Sequence, residues 1–235
     1  MMDIDTSVRD YARTLEADFF GVADLTGLAT AVLAQGGAEV ARYPRAISMG
    51  IALLNPIVDR LPQRAERAVA VSYRHHAYDV VNLRLDELSL RMAGLLQRLG
   101  YAALPVPASK RVDDERICAF FSHKMAARQA GLGWIGKSCL LITPQAGPRV
   151  RWTTVLTDAP LEATGVPPQD HCGACTRCVE ICPVQAITGR PFCEDEPREM
   201  RLDARRCEQY FREMEKAGHL PVCGMCLYVC PYGKN

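Results

Sequence analysis

Apolar positions recur at helical spacing near the start of the chain, at Ile4, Val8, Tyr11, Ala12 and Leu15, with Asp5 or Thr6 placed to cap the helix. Residues 19–23 read as a short strand. Two further apolar runs, 48–54 and 68–73, have strand length and end in polar or turn-forming residues. Leu85, Leu88, Met92, Leu95, Leu96 and Leu99 trace one face of a helix that Gly100 stops. Pro105 and Pro107 forbid a helix across 104–108. Residues 123–130 read as a second clear helix, ended by Gly131. Residues 140–143 and 150–156 read as strands, and Pro144-Gln145-Ala146-Gly147-Pro148 between them predicts a β-hairpin.

Helices and strands therefore alternate up to about residue 160, after which turn-forming residues dominate. Gly165, Pro167 and Pro168 mark 161–170 as a linker. The expected fold class is α+β, with an α/β layer domain over 1–163 and a small unit over 164–235. The whole has 235 residues, 49% hydrophobic and 23% charged, enough for one sizeable core and a small appendage. The formal net charge of +1 offers no electrostatic footprint for nucleic acid or an acidic membrane. There is no long apolar run, and the polar start Met1-Met2-Asp3-Ile4-Asp5 does not read as a signal peptide. A cytoplasmic protein without membrane contact is expected.

The eleven cysteines change this picture. Cys172, Cys175, Cys178 and Cys182 read C-x2-C-x2-C-x3-C with Pro183 following. Cys207, Cys223, Cys226 and Cys230 read C-x15-C-x2-C-x3-C with Pro231 following. The first spacing is that of bacterial [4Fe–4S] proteins, and the second is the same with its first gap stretched. Zinc sites usually use pairs of cysteines and need no trailing Cys-Pro. Disulfides suit neither the spacing nor a reducing compartment. So small and cysteine-rich a unit draws its stability from metal. The chain here resembles two-cluster ferredoxins, in which the Cys before Pro serves the other cluster. That resemblance implies Cys172, Cys175, Cys178 and Cys230 around one cluster, and Cys182, Cys207, Cys223 and Cys226 around the other. Cys193 lies in a polar insertion, 189–199, and competes with Cys207 for the last place. Cys118 and Cys139 sit in apolar company and read as buried small hydrophobes.

Residues 130–137, Ala-Gly-Leu-Gly-Trp-Ile-Gly-Lys, contain G-x-G-x-x-G. A dinucleotide site needs a strand before the glycines and a helix after them, and here the order is inverted. Lys137 also lacks the spacing of a P-loop. Glycines this dense serve either close approach to a large ligand, with Trp134 as a flat surface and Lys137 as a cation, or a helix end followed by a tight turn.

Together with Leu140-Leu141-Ile142, the cysteine run and Leu202-Asp203-Ala204-Arg205-Arg206-Cys207, this stretch resembles epoxyqueuosine reductase and, more distantly, the catalytic part of reductive dehalogenases. The resemblance spans roughly 60–235. It implies base-off cobalamin in a nitroreductase-like α/β domain, followed by a ferredoxin-like domain with two [4Fe–4S] clusters. By resemblance, Ser109, Gly131, Gly133, Trp134, Gly136 and Lys137 line the corrin. A low-potential donor, a ferredoxin or flavodoxin, feeds the clusters, and the acceptor is a small molecule or another corrinoid. The pattern departs from that family where an acid is expected. Ile117 stands near that place, and His123-Lys124 replaces a Glu-Arg pair. Asp113, Asp114 and His123 are then the candidate proton donors. The chain also stops after Cys230-Pro231 and a few more residues, without the family's C-terminal repeats that would help hold tRNA. A ferredoxin-type carrier without a corrinoid, and a tRNA queuosine-modifying reductase, are the alternatives.

Overall fold

The computed structural model describes residues 3–234. Its strands are β1 Phe19–Asp24, β2 Arg45–Ala52, β3 Ala103–Val106, β4 Trp134–Ile135, β5 Leu141–Ile142 and β6 Val150–Thr157. The chain divides into two compact units, each discontinuous in sequence. Residues up to 51, 82–133 and 151–168 make the first. Residues 52–81, 134–150 and 169 onward make the second.

The first unit is built on a four-stranded sheet in the order β1-β2-β6-β3. β1 runs antiparallel to β2, with Phe19 opposite Gly50, and β3 runs antiparallel to β6, with Ala103 opposite Thr157. The central strands β2 and β6 are buried along most of their length, with Ser48, Thr153, Thr154 and Thr157 among the buried residues. Ala23, Leu25, Val32, Val106, Phe121, Ala126 and Leu156 form one core against this sheet.

Two helices frame it as the periodicity predicts. Val81–Arg98 buries Leu85, Leu88, Met92 and Leu96 completely, and Gly100, at φ +90°, ends it. Leu99 departs from the predicted stripe and is half exposed. Ile4–Thr14 is capped by Asp3, whose Oδ2 accepts from the Thr6 amide at 3.4 Å. Asp5, one of the expected caps, instead accepts from the Glu162 amide at 2.9 Å. That bond belongs to a wider correction. Residues 161–168 are part of the first unit and no free linker there. Thr164 donates its amide to the Val22 carbonyl, and its Oγ1 accepts from the Val22 amide at 3.0 Å.

In the second unit the apolar run 68–73 is helical, correcting the strand expectation. The helix Arg67–Arg74 buries Val69, Ala70 and Tyr73, which share one face, and continues as a π turn over His75–Val80. Its valines and tyrosine match strand composition over so short a window, so the helical spacing is masked. The predicted hairpin is also absent. β5 pairs with β4, Trp134 opposite Ile142, while β6 joins the large sheet. Thr143 and Gly147 exchange both backbone hydrogen bonds at 2.9 Å and close the intervening residues into a private loop. Pro144 and Pro148 have no N–H to extend that ladder. Among the described residues no helix is long and apolar enough to cross a membrane.

Candidate metal centre

The second unit gathers eight of the eleven cysteines into two groups. Cys172, Cys175, Cys178 and Cys230 line one small cavity of about 30 Å3, with Cys226, Ile142 and Tyr232 also in its wall. Local sequence explains how the loop turns. In Cys172-Gly173-Ala174-Cys175 the glycine has φ +50°, and in Cys223-Gly224-Met225-Cys226 the glycine has φ +65°. Both loops reverse through a left-handed residue that only glycine adopts freely. At Gly224 a side chain would also meet Leu61 Cδ1 at 2.8 Å. Asp170 Oδ1 accepts from the Cys172 amide at 2.7 Å and sets the start of the first loop.

Electrostatics separates the two groups. Burial pushes the Cys230 thiol up to about 11, and the neighbours that add to this are Cys172, Cys178 and Cys175. Burial likewise pushes Cys207 up to about 11, and there the neighbours are Cys223 and Cys182. Cys226 rises to about 12, again chiefly by burial, with Cys223, Cys207 and Cys182 the larger contributing neighbours and Cys178, of the first group, the smallest. The helix Ala204–Lys216 delivers Cys207. Its cap, Asp203, accepts from the Arg206 amide at 3.0 Å, a signal that Leu-Asp-Ala-Arg-Arg-Cys carries in its Asp.

Cys193 is exposed and is not among the neighbours of either group. The insertion that holds it is tied back by Arg201, a buried cation missed by sequence reasoning. Its guanidinium donates to the Cys193 carbonyl at 2.8 Å and the Glu196 carbonyl at 3.3 Å, and it lies over the Phe192 ring at 4.8 Å. Asp203 closes the neck of the insertion by donating its amide to the Ala186 carbonyl at 2.8 Å.

These thiols fit iron–sulfur clusters. None of the eleven cysteines forms a disulfide. Burial makes Cys172, Cys178, Cys207, Cys223, Cys226 and Cys230 costly to ionise, and for all of these but Cys172 neighbouring thiols add to the cost. A bound cation supplies what the protein does not. Among the described residues, no three Cys, His, Asp or Glu side chains meet closely enough for a single metal ion. A four-iron body carries its thiolates at separate corners, so they need not meet at a point.

The corrin set fares differently. Gly131, at φ +78°, follows the helix His123–Gln129, and a side chain on it would meet the Gly165 Cα at 3.1 Å. Trp134 is buried, with its ring edge-on to His171 at 5.0 Å and Tyr232 at 4.9 Å. Gly136 is buried against Ile142 and Cys172. Lys137 Nζ donates to the Gly173 carbonyl at 2.7 Å and the Cys175 carbonyl at 3.2 Å. The last three residues are spent on the cysteine loop and present no face to a corrin. Gly133 is buried as well, whereas Ser109 is exposed in a turn.

The proton-donor candidates lie in the first unit. His123 has both ring nitrogens engaged, Nδ1 with Thr154 Oγ1 at 2.8 Å and Nε2 with the Pro107 carbonyl at 3.1 Å. A carbonyl only accepts, so Nε2 carries the proton and Nδ1 receives the threonine hydroxyl. Burial lowers its pKa to about 4, against the raising effect of the Pro107 bond. A neutral ring with its one N–H donated to a carbonyl is not equipped as an acid, which corrects that expectation. Asp113 Oδ1 accepts from the Glu115 and Arg116 amides at 2.9 and 2.8 Å. Asp114 is exposed and pairs with Arg111 at 2.7 Å.

Residues 171–233 match a family described as a 4Fe-4S double cluster binding domain. The epoxyqueuosine reductase of Pseudomonas aeruginosa is 27% identical over 94% of this chain and 60% of its own length. This chain is similar to the epoxyqueuosine reductases. A solved reductive dehalogenase discussed in terms of B12-dependent dehalogenation shares the fold at a TM-score of 0.71 and 21% identity, over 97% of this chain and 32% of that one. An epoxyqueuosine reductase solved with a modified tRNA stem loop shares it at 0.59 and 18%, over 99% and 66%. The expected α+β class is therefore the fold of both groups. The chain spans about 60% of the length of the curated relatives that match it nearly end to end.

Proposed function

We propose that this chain is an iron–sulfur oxidoreductase. The observation that carries the reading is the sorting of eight cysteines into two sets of four, one set around a single cavity. Cys172, Cys175, Cys178 and Cys230 would hold one [4Fe–4S] cluster. Cys182, Cys207, Cys223 and Cys226 would hold the second. Bound there, such clusters supply one-electron transfer at low potential. The chain's own part is to place the thiols, to exclude water from Cys230, and to hold the loop between Cys172 and Cys178 with Lys137. The division into a nitroreductase-like α/β domain over 1–163 and a ferredoxin-like double-cluster domain over 164–235 stands as a proposal. A ferredoxin or flavodoxin is the proposed donor.

Base-off cobalamin is the proposed further cofactor, supported by the shared fold with a B12-dependent dehalogenase. Trp134 and Gly136 are buried, and Lys137 is bonded to the cysteine loop; no step is assigned to the corrin. Asp114 remains the proposed proton donor, exposed on that loop beside Arg111. The test is anaerobic. Reduced protein, freed of reductant, is mixed with cob(II)alamin, and the cob(I)alamin band is followed alongside cluster bleaching. Cob(I)alamin formed in step with cluster oxidation is expected. Clusters that stay reduced, with no cob(I)alamin, would leave a ferredoxin-type carrier.

A second reading has one observation in its favour. An epoxyqueuosine reductase of the same fold holds a tRNA stem loop, which weakens the expectation against nucleic acid. Phosphate contacts are strongest at low salt. Binding of tRNA there, lost as salt rises, is the result this reading requires.

A further inference from the structure

We infer that the turn Trp134-Ile135-Gly136-Lys137 is a cradle for the Cys172 thiolate and raises the reduction potential of the cluster held by Cys172, Cys175, Cys178 and Cys230. The inference rests on the iron–sulfur reading of those cysteines. Three observations within the second unit converge on one sulfur, and a fourth sets a cation on its loop. A side chain at Gly136 would place its Cβ 3.0 Å from Cys172 Sγ, so the backbone itself lies against the sulfur. Trp134 belongs to one apolar cluster with Cys230 and Ile142, with Cys172 and Tyr232 packed on it. The Trp134 indole Nε1 is buried without a hydrogen-bond partner, and the group it bears on is Cys172. Lys137 reaches over the loop, donating Nζ to the carbonyls of Gly173 and Cys175.

The physical consequence follows from charge. A buried indole N–H normally finds an acceptor. A thiol is a poor one, but a cluster-bound thiolate is a good one. Reduction adds one electron, taken from the reductant, and the added negative charge spreads onto the sulfurs. Hydrogen bonds to the sulfurs and a nearby ammonium stabilise that charge and lift the potential. The Lys137 cation stands on this loop by its bonds to Gly173 and Cys175, residues of the first group's loop. The first cluster is therefore held above the potential it would have without the turn.

The test is a redox titration followed by electron paramagnetic resonance on anaerobically purified protein, with iron counted in parallel. Trp134→Phe keeps the ring and removes the N–H. One cluster is expected to become harder to reduce by about tenfold in its equilibrium, which is about 59 mV for one electron, while the other stays put. Iron content is expected to match the wild type. Lys137→Met removes the cation from the same turn and is expected to move the same midpoint in the same direction. It decides the matter if Trp134→Phe does not take up iron. Clusters intact with both midpoints unmoved would overturn this inference alone. Wild-type protein without clusters would overturn the iron–sulfur reading and this inference with it.

Discussion

At the scale of single residues, Gly136 and His123 show how much a side chain's surroundings decide. Gly136 has no room for a methyl group, since Ile142 and Cys172 Sγ already fill the space. Gly136→Ala is expected to cost about 1–3 kcal/mol through overpacking and to lower iron uptake. Thermal unfolding and an iron assay on the purified variant would check both. A fully loaded, equally stable variant would mean the turn does not lie against the sulfur. His123 offers a test by pH. Burial holds its pKa at about 4, below the ordinary value of 6.5, so the folded state refuses a proton that the unfolded chain accepts. Its contribution is fully present above 6.5 and is lost as pH falls toward 4. Between pH 7.5 and 5 the loss is about 2 kcal/mol. His123→Asn is expected to flatten that part of the profile in denaturant titrations. An unchanged slope would show that the ring is charged or exposed.

At the scale of elements, the insertion 189–199 is held by one buried cation. Arg201 gives hydrogen bonds to two carbonyls across the loop and lies on Phe192. Arg201→Ala is expected to destabilise the loop by about 1.5–3 kcal/mol, the range for hydrogen bonds to a charged group. Limited proteolysis should then cut within 189–199 well before the rest of the chain. The same cleavage pattern as wild type would contradict this anchoring. Elements also show what the sequence made legible. The helix Val81–Arg98 was plain because eighteen residues give its apolar period room to repeat. The helix Arg67–Arg74 has only eight, and its valines and tyrosine carried the opposite propensity. The hairpin was misread because a turn between two strands does not say which partners they choose. β5 found β4, and β6 entered the middle of a sheet whose other members lie far away in sequence. The cysteine groups were legible because their spacing is imposed by the chemistry they serve. The role of Trp134 was not, since a tryptophan beside glycines looks alike whether it faces a ligand or a sulfur.

At the scale of the whole molecule, the account turns on which four thiols form each set. Cys182 and Cys207 are twenty-five positions apart, and the insertion between them carries the exposed Cys193 as a rival. The structure brings Cys207 beside Cys223 and Cys182 and leaves Cys193 outside. Under the proposed reading, two sets of four thiols would hold two clusters in series as a path for electrons. The most direct measurement is iron counted per chain after anaerobic purification of the wild type, Cys193→Ser and Cys207→Ser. The account predicts about eight irons in the wild type and in Cys193→Ser, and a loss of about four in Cys207→Ser. An equal loss in Cys193→Ser, or a wild type that never exceeds about four, would contradict it.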